Sequence, residues 1–360
     1  MAITRRVQHM ERSPCLRIPR GKGDAVIRFL KDAGLYRLDL KPRQTNGTLL
    51  IPIVGLTEDA KARLGERLTE FDVVEGEFDG RSARPARISA LLEAQIPSEM
   101  HPYLPRSFDL IGTVAIVELR DELAPYAELI GKAMVRVYPR VRTVLAKGGA
   151  FKGRFRVRDY VLLLGKETET VYREHGCLYH LDVAKVYFSP RLAYERMRVS
   201  SQVREGEVVL DMFAGVGPFS ILIAKMHRDV RVYCADINPD AFGCLVKNIL
   251  VNKVAARVTP ALAEARTLIR SNFSKCFDRV VMNLPGEAVN FLDVAVRALK
   301  SGGMIHCYAF ADRLNGVQKV RERIAEELGK LGRRFDLLEG REVRATAPCQ
   351  FQVVQDIRVE

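Results

Sequence analysis

Residues 207–220 read Glu-Val-Val-Leu-Asp-Met-Phe-Ala-Gly-Val-Gly-Pro-Phe-Ser, and no other segment narrows the fold as far. An apolar, β-branched run ends at Asp211; Gly215 and Gly217 follow, and apolar residues continue at helical spacing from Phe219. The pattern predicts a strand, a tight turn and a helix. Glycine lets the backbone approach a ligand with no Cβ between them. The third glycine of a pyrophosphate-cradling G-x-G-x-x-G is missing. Pro218 suits the first turn of a helix, where its absent N–H costs nothing. An acid at the strand end ahead of an apolar glycine turn suits a cationic, nucleoside-bearing ligand better than a pyrophosphate. S-adenosyl-L-methionine is such a ligand.

The chain has 57 Lys and Arg against 44 Asp and Glu, a net charge of +13. A positive field of this size favours polyanionic partners such as nucleic acid. The seven cysteines are scattered with no C-x-x-C pair. That pattern predicts neither disulfides nor a bound metal, and a reducing, cytoplasmic setting. No signal-peptide stretch opens the chain, and no run of about 18 apolar residues exists to span a bilayer.

Three regions follow one another. Residues 1–95 read as a small α+β unit without a catalytic constellation: strands near 15–19 and 48–53, helices near 24–35 and 57–71. Residues 96–106 hold three prolines and read as a linker. Residues 107–199 form a second α+β unit, opening on a strand from Phe108 interrupted by Gly112, with a helix near 123–135. From Lys132 to Arg158 there are nine basic residues and no acid. On an alternating strand Arg154, Arg156 and Arg158 share one face, suited to phosphate or base contacts. Residues 200–360 alternate strand and helix, with strands at 207–211, 230–236, 256–260, 277–282, 302–308, 333–338 and 350–358. Helical connections predict right-handed crossovers of a parallel sheet, with the last strand antiparallel.

Strand-end residues carry the candidate chemistry. Asp236 lies 25 residues after Asp211, near the spacing at which an acid accepts hydrogen bonds from ribose; taken alone it could equally cap a helix. Glu264, after the third strand, suits the exocyclic amine of adenine or a helix start. The fourth strand ends at Asn283-Leu284-Pro285-Gly286, where a short amide arm meets the carboxyl edge at which open α/β sheets bind ligands. Upstream, Ser189 and Pro190 begin a helix that stacks Arg191, Glu195 and Arg198 on one face.

Tyr187-Phe-Ser-Pro-Arg-Leu-Ala-Tyr-Glu195-Arg, Asp211-Met-Phe-Ala-Gly-Val-Gly-Pro-Phe-Ser, Asp236-Ile-Asn-Pro and Asn283-Leu-Pro together closely resemble one family. It is the archaeal and eukaryotic tRNA (guanine-N1)-methyltransferase family, which modifies position 37 beside the anticodon. The resemblance runs from about residue 107 onward. It implies a Rossmann-like class I methyltransferase sheet (α/β) over 200–360, preceded by two smaller α+β domains. The 1–95 unit resembles the extra domain of archaeal members that helps recognise the tRNA elbow. By the same resemblance, Glu195 is the general base, Arg156 stabilises guanine O6, and Asn283 and Tyr187 complete the catalytic set. Asp211, Phe213, Ala214, Gly215, Val216, Gly217, Asp236, Ile237, Glu264, Asn283 and Pro285 would hold the cofactor. Arg154, Arg158, Arg191, Lys147 and Lys152 would hold the RNA, and a monomer is expected. The chain departs from the family pattern at Ala263-Glu264-Ala-Arg266, where Gly-Asp-x-Arg is usual, and at Asp236, often Glu.

A sister group transfers an aminocarboxypropyl group from the same cofactor during wybutosine synthesis. A dual methyltransferase and a catalytically silent tRNA-binding protein are further alternatives. A cytosine C5 enzyme would need a cysteine after the fourth strand, and an exocyclic-amine enzyme an Asn-Pro-Pro-aromatic run; Leu284 and Gly286 fit neither. Guanine N1 carries a proton, so attack at that atom calls for a carboxylate.

Overall fold

The computed structural model describes residues 10–45, 47–66, 68, 70–80, 87–93, 95–152, 157–312, 314–347 and 349–360. The chain divides into two units, Met1–Ala90 and Leu91–Glu360.

In the first unit, β1 (Met10–Pro19) lies between β3 (Thr48–Pro52) and β4 (Asp72–Asp79), with β2 (Arg43–Thr45) beyond β3, all antiparallel. Helices α1 (Gly23–Asp32) and α2 (Glu58–Gly65) supply Val26, Leu30 and Leu64 to a core with Leu16, Ile18 and Ile51. Thr57 caps α2 by accepting from the Ala60 N–H. A five-residue helix, α3 (Ile88–Leu92), spans the division.

The second unit opens where prolines suggest a linker. The described chain there forms a 3₁₀ turn, Ser98–Tyr103, flanked by buried Ile96 and Leu104. The expected interrupted strand is a hairpin, β5 (Phe108–Ile111) and β6 (Val114–Val117). Gly112 turns it at φ +57°, and a Cβ there would lie 2.2 Å from Thr170 Oγ1. After α4 (Ala127–Val137), β7 (Thr143–Lys152) pairs parallel with β6 and antiparallel with β8 (Val157–Leu164).

A second hairpin, β9 (Glu169–Glu174) and β10 (Cys177–Asp182), follows, then a 3₁₀ turn Pro190–Leu192 and helix α5 (Ala193–Gln202). Among the described residues the far side of β10 has no strand partner. Instead the Asn252 amide accepts from the Leu178 N–H at 2.9 Å and donates to its carbonyl at 2.6 Å. Asn248 does the same for His180, at 2.7 and 3.0 Å.

The large sheet comprises β11 (Val208–Asp211), β12 (Arg231–Asp236), β13 (Val258–Leu262), β14 (Phe277–Met282), β15 (Leu299–Asp312), β16 (Phe335–Ala347) and β17 (Gln350–Val359). Their order is β13-β12-β11-β14-β15-β17-β16. The first five run parallel, while β17 is antiparallel to both β15 and β16. Helices α6 (Pro218–Met226), α7 (Pro239–Val251), α8 (Ala265–Asn272), α9 (Leu292–Ala298) and α10 (Gly316–Lys330) make the crossovers. The chain winds outward from β11 through β12 to β13, then returns to β14 on the other side of β11. That reversal opens a crevice at the carboxyl ends of the strands, where such sheets bind ligands. Gly217, φ +86°, precedes Pro218 at the start of α6, and a Cβ there would meet Leu245 at 2.4 Å. This glycine therefore serves close helix packing. Among the described residues no helix is long and apolar enough to cross a membrane.

Candidate active site

The crevice holds a cavity of about 620 Å³. One wall comes from the ends of β11, β12, β13 and β14: Phe213, Gly215, Asp236, Ile237, Glu264, Asn283 and Pro285 line it, with Met212 and Phe291. The opposite wall comes from the basic sheet and the segment before α5: Lys147, Arg158, Tyr160, Tyr187, Ser189 and Arg191. Asp211, Ala214, Val216 and Gly217 are not in the lining; Asp211, Ala214 and Val216 are buried in the same turn. Arg154 and Arg156 lie outside the described residues, and Lys152 is described only as the end of β7.

Asp236 is built for its place. Its Oδ2 accepts from the Gly215 N–H at 2.7 Å and its Oδ1 from the Asn238 N–H at 2.9 Å. Burial raises its carboxyl above the ordinary range, against those backbone donors. Asn238, rather than Asp236, caps α7, accepting from the Asp240 N–H. Glu264 has two roles. It caps α8 through the Thr267 N–H at 2.7 Å, and it lines the cavity. Arg191 pairs with Asp109 at 2.6 Å, and Lys147 lies 3.5 Å from Glu118.

Burial pushes the Asp211 carboxyl up to about 7; a 2.7 Å hydrogen bond from the Ser220 hydroxyl opposes this, and the Asp236 charge adds to it. In an unfolded chain the same group titrates near its ordinary value of about 3.9. Between those values the folded chain keeps a proton that the unfolded chain has released. This contribution to stability is whole below about pH 4 and is lost as pH rises through about 7. Urea melts across this window should show the parent losing stability relative to Asp211→Asn as pH rises. Parallel curves would refute the raised value.

Glu195 does not line the cavity. It is 1 % exposed and sits in a buried ionic cluster. Arg198 donates to it from Nη2 at 2.8 Å, Tyr308 from its hydroxyl at 2.7 Å, and Arg341 from Nη2. Arg198 also bonds Asp356 at 2.5 Å, which in turn meets His306 Nδ1 at 2.6 Å. Burial lowers His306, and Asp356 is held low by His306 and Arg198 against its own burial. Next to Glu195, Arg196 forms a two-point pair with Glu174 at 2.6 and 2.7 Å and donates to the Ser189 carbonyl at 3.0 Å. That anchors the segment bearing Tyr187 from behind.

The C-terminal hairpin supplies residues the sequence reading passed over. Arg344 lines the cavity and donates to the Tyr187 hydroxyl at 2.7 Å and to Ser189 Oγ at 3.2 Å. Its Nε donates to Gln352 Oε1 at 2.9 Å, and Gln352 Nε2 donates to Asn283 Oδ1 at 3.0 Å. The one signal is that polar Gln352, Gln355 and Asp356 interrupt the apolar run of β17 on positions that are buried.

Residues 170–334 match the model of the TRM5/TYW2 methyltransferase domain, and residues 88–168 that of the TYW2 N-terminal domain. The tRNA (guanine(37)-N(1))-methyltransferase Trm5b of Pyrococcus abyssi is 40% identical over 346 residues, 96% of this chain and 98% of that protein. The chain belongs to the TRM5/TYW2 methyltransferase family. The crystal structure of P. abyssi Trm5b matches with a TM-score of 0.71 at 39% identity, covering 97% of this chain and 99% of its own. A complex of aTrm5 and tRNALeu matches at 0.69 and 31% identity, covering 96% of this chain and 100% of its own. The tRNA(Phe) (4-demethylwyosine(37)-C(7)) aminocarboxypropyltransferase of Pyrococcus horikoshii is 33% identical over 76% of this chain and 96% of its own length.

S-adenosylmethionine is the cofactor of this TRM5/TYW2 family, and the residues present fit it. Asp236 offers an acceptor for ribose hydroxyls. A Cβ at Gly215 would meet nothing nearer than the Tyr187 carbonyl at 3.8 Å, so the turn is open to a ligand. Phe213, Ile237, Leu284 and Phe291 give the apolar walls a nucleoside base needs.

Proposed function

We propose that the chain transfers a methyl group from S-adenosylmethionine to N1 of guanosine 37 in tRNA. The reading is supported by one cavity with two unlike walls, a glycine turn with Asp236 and Asn283 on one and basic residues with Tyr187 on the other. It is further supported by the identity to P. abyssi Trm5b, 40% against 33% for the aminocarboxypropyltransferase. When bound, the cofactor supplies a methyl group on a sulfonium and retains the S–C bonding pair on sulfur.

The chain's residues do the rest. Asn283 orients the guanine edge and Tyr187 flanks it. Glu195, on the family resemblance, takes the N1 proton, so that the N1 lone pair can accept the methyl. Its carboxylate is clasped by Arg198, Tyr308 and Arg341, so this step requires Arg341 to part from it. Charge left on O6 is offset by a guanidinium of the 154–158 strand, as oxyanion donors do elsewhere; Arg158 is the described member that reaches the lining. Lys147 and Arg191 hold the backbone while the base is turned out of its stack. The first unit would meet the tRNA elbow, and the setting is the cytoplasm.

The test is label transfer to a tRNA transcript, followed by digestion and nucleoside analysis, with the cofactor labelled separately in its methyl and its carboxypropyl carbons. Methyl label in 1-methylguanosine from position 37 is expected. Carboxypropyl label would assign the sister reaction, and tight tRNA binding without label a silent binding protein.

A further inference from the structure

We infer that Gln352 is a positioning residue that sets the purine selectivity of the cavity by fixing which end of the Asn283 amide meets the ligand. The inference rests on the guanine-N1 reading and deepens it. Its starting point is Arg344, because a guanidinium has five donors and no acceptor. Arg344 is pinned at the cavity by Tyr187 and Ser189. Its Nε lies 2.9 Å from one end of the Gln352 amide, so that end must be the oxygen. The nitrogen of Gln352 then faces Asn283 at 3.0 Å, and the atom of Asn283 it meets must be an acceptor, Oδ1. Gln352 is 1 % exposed, so no bulk water offers it a reason to turn over.

The polarity passes along the chain of amides to the cavity. With Oδ1 engaged, Asn283 has Nδ2 left, a donor without a partner among the described residues, on a side chain that lines the cavity. Guanine carries an acceptor, O6, beside N1. Adenine carries a donor, the 6-amino group, at the same place. A donor at Asn283 matches the first and opposes the second. Hypoxanthine, which keeps O6 and lacks the 2-amino group, should rank with guanine. A buried donor facing a donor costs enough to discriminate by about tenfold or more.

The full-length protein, saturated with S-adenosylhomocysteine, is titrated with tRNA transcripts bearing guanosine, inosine or adenosine at position 37. The parent should bind the first two alike and the third about tenfold more weakly. Gln352→Glu keeps the bond from Arg344 but presents only acceptors to Asn283, which must turn its amide over and show Oδ1 to the cavity. The preference should then vanish or invert. Gln352→Met keeps the bulk and releases the amide, giving an intermediate ratio, and stands in if the charged variant does not fold. Cofactor affinity serves as the control and should not move. A parent that does not discriminate, inosine ranking with adenosine, or variants that keep the parent ratio would each overturn the inference. Failure of the guanine-N1 reading is a separate result: discrimination present in the parent, yet no methyl label reaching guanosine 37.

Discussion

Glu195→Gln is expected to lower kcat for methyl transfer by about 10²- to 10⁴-fold, the range general-base catalysis commonly supplies. The amide matches the carboxylate in shape but takes up no proton, so N1 keeps its hydrogen and its lone pair stays committed. Cofactor affinity should hold, because Glu195 is not part of the wall that bears the glycine turn. The surroundings make this substitution more informative than truncation. Arg198 keeps Asp356 as a partner, and the Tyr308 hydroxyl can still donate to the amide oxygen. The group that loses most is Arg341, whose side chain remains 24% exposed and so is not stranded in the core. Thermal melts run beside single-turnover assays would separate a folding defect from a chemical one. Full activity in a well-folded variant would remove Glu195 from the reaction and leave it as the hub of a buried ionic cluster.

Asn283→Ala is the second large effect. Loss of one preorganised donor at a site of developing charge costs about 10²–10³ in kcat. Asn283 directly follows β14, the strand on the return side of the switch in the sheet, and only its side chain joins the chain of bonds from Arg344. The turn itself is tied down separately: the Leu284 carbonyl accepts from Glu287 and Ala288, and the Pro285 carbonyl accepts from Phe310. The substitution should therefore spare the fold and the cofactor KM while lowering the chemical step. A rise in the cofactor KM with kcat unchanged would instead make Asn283 a cofactor ligand alone.

What could be read from residues alone was local or periodic. Asp236 is legible because an acid closes a strand that follows a glycine turn, and Pro218 and Gly217 mark the start of α6 by their backbone habits. The alternation of strands and helices over 200–360 predicts the parallel sheet, and β17 runs antiparallel as the short link before it suggests. Gly112 reads as an interruption within a strand, but its positive φ and the approach of Thr170 make it a hairpin turn. Arg344 and Gln352 were not legible. Their contribution depends on β17 inserting between β15 and β16, a pairing across distant segments that no local signal reports. Glu195 shows the converse: its helical spacing suggests a partnership with Arg191, whereas Arg191 goes to Asp109 and the carboxylate is drawn inward by Arg198, Tyr308 and Arg341.

Asn248 on α7 and Asn252, which caps its C-terminal end, have a consequence for how the molecule behaves in a crowd. A strand with an open margin presents a row of bare N–H and C=O groups, a template on which a foreign strand can add. At Leu178 and His180 those groups are already answered, each by a side-chain amide that imitates a peptide bond. The β10 margin of the ribbon is thus covered at these two residues by amides of its own chain, so a foreign strand would find no bare N–H or C=O there, with no added strand, charge or proline.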